Sequence, residues 1–468
     1  MSSAISRVEW ELEFVQFWKT HPRFYVDQTI GSVFEYLLPL KVDAESFENV
    51  LRLLGEFPRI LEEGKINLEG NYIKEFVQIT IEDLSDISYQ ISRMQSELIN
   101  SFPELESSQL KSLSIVAADS LVQFRNWLQS KLPTCSDFAP LGAEKFIWFM
   151  REVALIPLSP EELLHIGNIE LSRAVFLEEI HRNRYKDIEL PVLPTSALEQ
   201  SRNESVLESE VSNFYLSQEL LSQDVKYKRY LNAPRPQYLE PIRWLGVTDD
   251  LTAPERLDQN GIAYVPEPQS ELPYFYAANA RDPRIGISHE GAHFQQLVRS
   301  WRNPREIRRH YYDSGVNEGV AFYNEELLLA AGLFVDAPHS QTLMYNLMKL
   351  RAMRVIVDVS LVTGKMSLES ATQYLVEKVP MDVETAKEEA IFFASFPGQG
   401  LTYQIGKTQI QKLIADLVMA KGEKFNFQSF HDYLWENGNV PISLLRFELL
   451  DDISDLTALD KSKKEIIK

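Results

Sequence analysis

Ile287-Ser288-His289-Glu290-Gly291-Ala292-His293-Phe294 is the stretch on which the reading of this chain turns, with Asn317-Glu318-Gly319 following it. His289 and His293 are four residues apart, so on a helix they lie one turn apart on one face and can grip one Zn²⁺, with Glu290 between them as general base. Ile287, Gly291, Phe294 and Val298 give the segment an apolar side, which predicts a helix over about 283–301. Gly291 inside that helix carries a penalty of ~1 kcal/mol, which predicts close approach by another element.

Two imidazoles do not complete a catalytic zinc site, which takes three protein ligands and keeps one position for water. Asp313-Ser314-Gly315-Val316 predicts the start of the next helix, whose apolar positions Val316, Val320, Tyr323, Leu327 and Ala331 share a face before Gly332 ends it. Glu318, in its first turn and 25 residues beyond His293, is the leading third ligand, with Glu325, Glu326, Asp313 and His310 as competitors. Glu325 lies two turns further along and would then orient an imidazole through its other N–H. A His₂Glu site of this kind activates water against a carbonyl, with Glu290 accepting the proton and returning it to the leaving amine. The developing oxyanion calls for a further donor, a Tyr or His reaching the cleft from elsewhere.

With 468 residues the chain exceeds what one core usually serves, so two lobes with a cleft are expected, an N-terminal helical lobe over 1–200 and a zinc-binding lobe over 201–468. A formal charge of −21 argues against a nucleic-acid surface, which needs a clustered basic footprint. Cys135, the one cysteine, allows no internal disulfide and leaves any metal to His and carboxylates. No apolar run approaches the ~20 residues of a membrane span, and the N-terminal residues lack the pattern of a secretory signal, so the cytoplasm is the expected location.

Helical periodicity dominates the rest. Helices are predicted over about 72–102, 107–132, 143–152 and 160–182, the last opening on Ser159-Pro160-Glu161-Glu162, a cap followed by Pro and acids in the first turn. Pro58 and Gly64 read as connections, and the Ser-, Glu- and Asn-rich segment to about 210 as a mobile connector or the edge of a lobe. Gly261–Val265 and Leu272–Ala277 read as strands forming a small β element before the metal-binding helix, with Tyr274 and Tyr276 as candidate substrate contacts. His21, His165, His181, His339 and His431 read as surface or capping groups.

Beyond these local readings, His289-Glu-Gly-Ala-His-Phe-Gln-Gln-Leu297, Asn317-Glu-Gly-Val-Ala-Phe-Tyr-Asn-Glu325 and Pro397-Gly-Gln-Gly-Leu-Thr-Tyr-Gln-Ile-Gly-Lys407 together resemble the bacterial domain-of-unknown-function 885 family. Pro140–Phe146, Leu158–Leu164 and Phe430–Leu434 fit it as well. The resemblance implies a mainly α, two-lobed zincin-like (gluzincin) fold with a central cleft, and a zinc metallopeptidase with one Zn²⁺ per chain on His289, His293 and Glu318. It further implies Glu290 as base and Tyr403 as the phenol that steadies the oxyanion. Gln404 and Lys407, at helical spacing from Tyr403, become candidate substrate contacts.

The chain departs from the family pattern in its short H-E-x-x-H spacing and at Val320, Val362, Phe392 and Phe393, where polar or larger residues are common. Their loss beside the cleft implies a more apolar substrate without a free carboxylate to anchor. Arg351 and Arg354 would either bind an acidic substrate or pair with the abundant carboxylates. The leading expectation is hydrolysis of a peptide or small amide. The rivals are a zinc enzyme acting on a non-peptide small molecule in biosynthesis and a helical binding protein with a vestigial site.

Overall fold

The computed structural model describes residues 2–466 apart from positions 40, 104–106, 269–271, 273 and 380. The chain is mainly helical, 71% helix against 3% strand, with one small sheet. Among the described residues no helix is long and apolar enough to cross a membrane.

Local chemistry accounts for most helix boundaries. Ser159 closes a full capping box with Glu162 at the head of the helix Pro160–Arg184. Asp313 accepts from the Val316 N–H at 3.2 Å and starts the helix Ser314–Ala331, which Gly332 ends at φ 99°. The metal-motif helix runs Arg284–Ser300.

Tertiary packing overrides local signals in four places. The helix expected over 72–102 is two, Lys74–Asp83 and Ile87–Ser101, and the Arg125 guanidinium takes the freed carbonyls of Leu84 and Ser85 at 3.2 and 2.8 Å. Pro58 and Gly64 are inside a continuous helix, Ala44–Leu68, because its buried face of Leu54, Phe57 and Leu61 spans both and Gly64 receives the Tyr25 ring. The supposed connector is the helix Ala197–Ser217, which the chain is following as it passes position 200. Its acids serve as internal partners: Glu204 accepts from the Asn232 N–H at 2.9 Å and Glu208 pairs with Arg229. Leu272–Ala277 is not a strand; from Tyr274 the chain is helical to Arg281, and Pro273 lies outside the described residues. Aromatic β-propensity is weak enough for such a reversal.

The sheet has the order β1-β3-β2, with β1 at Tyr230–Pro234, β2 at Asp249–Asp250 and β3 at Gly261–Val265. β3 pairs in parallel with β1 (Tyr230 opposite Gly261) and antiparallel with β2 (Asp249 opposite Ala263). Tyr238, Leu239, Ile242 and Tyr264, from around the sheet, join the same core as the helices between Ala44 and Lys131.

The helix Pro338–Val362 runs through the middle, and from Asn346 to Val362 it is buried throughout. Gly167 of the helix Pro160–Arg184 lets it approach to within van der Waals reach of Val355 and Ile356. Each fully buried Val, Leu or Met contributes about 1.5–3 kcal/mol, so the position of this central helix is over-determined. It therefore makes a rigid support for the polar side chains it carries.

Candidate metal centre

The metal-motif helix sets the His289 and His293 rings 4.9 Å apart and perpendicular. Ser314–Ala331 packs beside it, pinned by Asn324, which donates to the Ser288 carbonyl at 2.7 Å and accepts from the Tyr215 phenol at 2.9 Å. With Asp313 capping the first turn, Glu318 faces the imidazoles: its Oε2 is 3.6 Å from His289 Nε2 and 3.4 Å from His293 Nε2. One donor atom from each of the three residues lies within 4.8 Å of the others.

Both rings are oriented from behind. His289 Nδ1 meets Glu325 Oε1 at 2.6 Å, and His293 Nδ1 meets the Asn317 amide at 2.8 Å. The Asn317 atom facing the ring is its amide nitrogen; turned over, the amide would present its oxygen, accept the Nδ1 proton and leave the Nε2 lone pair free toward Glu318. Nothing in the sequence reading assigned Asn317 this part, although it adjoins the candidate ligand.

The electrostatics are those of a cluster short of a positive charge. Burial opposes a proton on His289, yet the adjoining carboxylates of Glu318 and Glu325 and the charge of Glu290 hold its pKa at about 10. Burial acts against ionised Glu318 too, and the two histidines outweigh it, holding its carboxyl well below the ordinary range. Glu318 Oε2 and Glu325 Oε2 are buried without a hydrogen-bond partner. Two imidazole nitrogens and a carboxylate oxygen, converging with an unsatisfied acceptor at their centre, fit a borderline-soft divalent cation such as Zn²⁺.

The competing acids and His310 are occupied or remote. Glu326 pairs with Lys407 at 2.7 Å and Arg173 at 2.6 Å, Asp313 is the helix cap, and His310 is exposed.

Tyr403 begins the helix Thr402–Lys421, and its ring stacks 6.1 Å from that of His289. This closeness depends on two glycines: a Cβ at Gly406 would meet the Gly315 carbonyl oxygen at 1.9 Å, and Gly319 and Gly406 touch backbone to backbone. Asp358 fixes the preceding turn by accepting from the N–H groups of Gly398 at 2.9 Å and Leu401 at 3.0 Å. Burial, reinforced by the charge of Glu318, keeps the Tyr403 phenol protonated well above its usual range.

A cavity of about 630 Å³ borders the cluster, lined among others by His289, Glu290, Glu325, Tyr403, Asp249 and Tyr276. Glu290, 36% exposed, is the most accessible acid beside the imidazoles. Asp249 accepts from the Tyr230 phenol at 2.6 Å, and burial followed by the charge of Glu290 lifts its carboxyl to about 7. No sequence signal marked Asp249 or Tyr230, which reach the cavity only through strand pairing.

Several expected contacts are elsewhere. Lys407 Nζ is fully buried on Glu326 at 2.7 Å and Glu170 at 3.4 Å, and the Gln404 amide donates to Thr408 at 3.1 Å; neither lines the cavity. Tyr276 does line it, with its phenol accepting from Arg235 at 3.2 Å, whereas for Tyr274 the structure describes only its place in the helix. Val320, Val362 and Phe393 are buried in cores and Phe392 is on the surface, so these four departures from the family pattern do not line the cavity. Gly291 has only Ile287 nearby and no helix crossing against it. His21 and His431 are buried rather than superficial; His431 bridges the Tyr323 phenol at 2.8 Å and the Leu220 carbonyl at 2.6 Å.

No curated protein matches the chain. Two solved structures match nearly all of it, each described as a "putative lipoprotein". That from Shewanella oneidensis, of unknown function, has 15% identity and a TM-score of 0.71 over 96% of this chain and 86% of that one. That from Colwellia psychrerythraea has 16% identity and a TM-score of 0.70 over 90% of this chain and 77% of that one. Identities this low establish a shared fold and leave function to the site. The model of the family described as "Bacterial protein of unknown function (DUF885)" matches residues 252–449, and over that segment, which holds His289, Glu290, His293, Glu318 and Tyr403, the chain is similar to this bacterial family.

Proposed function

We propose that this chain is a zinc-dependent hydrolase that cleaves a peptide or small amide bond, built as a gluzincin-like metallopeptidase. The observation that carries the reading is the convergence of His289, His293 and Glu318 within 4.8 Å, with both outer ring nitrogens engaged and Glu318 Oε2 unpartnered. His289, His293 and Glu318 would hold one Zn²⁺, and the chemistry a bound Zn²⁺ supplies is Lewis acidity toward a carbonyl and toward water.

The remaining steps belong to the chain's own residues. Glu290 Oε1 is 4.0 Å from His289 Nε2 and open to the cavity, so its carboxylate can take a proton from the attacking water. The same carboxyl then gives that proton to the departing nitrogen. The Tyr403 phenol, kept protonated by burial, donates a hydrogen bond to the oxygen that gains negative charge. Glu325 and Asn317 hold the rings in the orientation that turns Nε2 toward Glu318.

Metal analysis and a Glu290→Gln variant test the reading together. One zinc per chain is expected, with amide hydrolysis lost in the variant while the metal stays. A chain that takes up no stoichiometric zinc, or a variant as active as the parent, removes the proposal. A cavity of about 630 Å³ favours a small substrate over a folded one, so short peptides and other amides are the compounds to screen. Cell fractionation decides between the cytoplasm, expected from the sequence, and the envelope location that the word lipoprotein gives to the two structural neighbours.

A further inference from the structure

Leu347, Arg351 and Arg354 occupy one face of the central helix Pro338–Val362, and all three line the cavity. The two guanidiniums are differently engaged. Arg354 is closed on Glu389 by a two-pronged contact, Nε to Oε2 at 2.8 Å and Nη2 to Oε1, and lies 4.8 Å over the Tyr403 ring.

Arg351 is 5% exposed and forms a single ion pair, Nη2 to Glu325 Oε1 at 2.9 Å. Its Nε and Nη1 are buried without a partner. Glu325 Oε1 is shared with His289 Nδ1 at 2.6 Å, so even that one acceptor is divided. Buried donors left unmet are costly, and charged ones more so. Nε and Nη1 lie on opposite edges of the guanidinium, each beside the Nη2 that Glu325 occupies, so the group that suits either side is an anionic acceptor such as a carboxylate.

The rest of the wall suits the remainder of such a molecule. Ile285, Ile287, Val265 and Tyr276 offer apolar surface, and about 630 Å³ is within the range of small-ligand sites. Arg351 lies 5.7 Å from the Tyr403 ring and shares the cavity wall with His289, Glu290 and Tyr403, so a group held by Arg351 is in the same cavity as the metal centre. The departures at Val320, Val362, Phe392 and Phe393 do not touch this wall and give no reason to expect a substrate lacking a carboxylate.

We propose that the cavity takes a short peptide or N-acyl amino acid whose free carboxylate docks on the unpartnered N–H groups of Arg351, which directs hydrolysis to the amide bond nearest that carboxylate. The proposal rests on the hydrolytic reading above, but the anchor is tested by binding, without turnover. Zinc-loaded Glu290→Gln protein would be titrated calorimetrically with N-acetylglycylphenylalanine and with its C-terminal amide. The acid is expected to bind about tenfold to a hundredfold tighter than the amide. Adding Arg351→Met should abolish that difference, and Arg351→Lys, which keeps the charge and loses the fork, should retain only part of it.

Equal binding of acid and amide, binding of neither, or an unchanged preference in Arg351→Met each overturns the anchor. So does an equal loss for both probes accompanied by loss of zinc, which would mean that Arg351 only props Glu325. If the Met variant fails to fold, the acid-to-amide ratio in the parent and in Arg351→Lys still decides. An acid preference that persists while the active parent hydrolyses neither probe would keep the anchor and remove the hydrolase.

Discussion

Replacing Gly406 by Ala sets two physical effects against each other at the crossing that brings Tyr403 to the metal centre. Helix propensity alone favours Ala over Gly by about 1 kcal/mol. Packing opposes it: the new Cβ would lie 1.9 Å from the Gly315 carbonyl oxygen and 2.8 Å from the Gly319 Cα, whereas real Cβ contacts essentially never fall under 3.0 Å. Both obstacles are backbone, so no rotamer change relieves them and the two helices must separate by about 1 Å. Overpacking of this kind costs about 1–3 kcal/mol and occasionally more, so packing should win. Gly291→Ala is the matched control, because its Cβ meets only Ile287 Cγ2 at an ordinary 3.5 Å and the propensity gain stands. Denaturant unfolding of the three proteins should rank Gly291→Ala above the parent and Gly406→Ala below it by about 1–2 kcal/mol. Separation of the helices should also weaken zinc binding in Gly406→Ala, since Glu318 and Tyr403 sit on either side of the crossing. A Gly406→Ala protein as stable as its parent, or a Gly291→Ala protein as damaged as Gly406→Ala, would refute the reasoning.

Three further outcomes are expected. Asn317→Ala frees the His293 ring and should lower zinc affinity about tenfold to a hundredfold, read by competition with a chromophoric chelator; unchanged affinity would remove its orienting part. Lys407→Met removes a buried cation from the half-buried Glu326 and Glu170, which keep Arg173, and should cost about 1–3 kcal/mol of stability with the Michaelis constant unchanged, whereas a substrate contact would show the reverse. Burial lifts the Glu204 carboxyl from 4.5 to about 7. Because that pKa is raised in the folded chain, its contribution to stability is whole below about pH 4.5 and is lost as pH rises through about 7. Glu204→Gln should therefore melt above the parent at about pH 8 and lose the advantage near pH 4.5; a constant offset across that range would contradict the assignment.

The amino-acid sequence by itself determined the parts of this protein that depend on neighbours along the chain. His289 and His293 share a helix face because of their spacing, Asp313 starts the following helix, with Glu318 just past the first turn in which it was expected, and Ser159-Pro160 opens another helix. Gly261–Val265 forms a strand where β-branched and aromatic residues alternate. Each of these is fixed by interactions a few residues long, which is why pattern and capping rules reach them.

Only the tertiary structure decided what depends on distant partners. Leu272–Ala277 and the acid-rich segment near 200 carry local signals that packing reverses, and Lys407 follows Glu326 into the core rather than following Tyr403 to the cavity. Asp249, Tyr230, Asn317 and the half-satisfied Arg351 acquire their surroundings from other elements, through contacts 19, 24 and 26 residues apart in the chain. The physical reason is that a hydrogen bond or ion pair made inside a core has strength and direction set by burial, and burial is a property of the whole fold rather than of any one stretch of it.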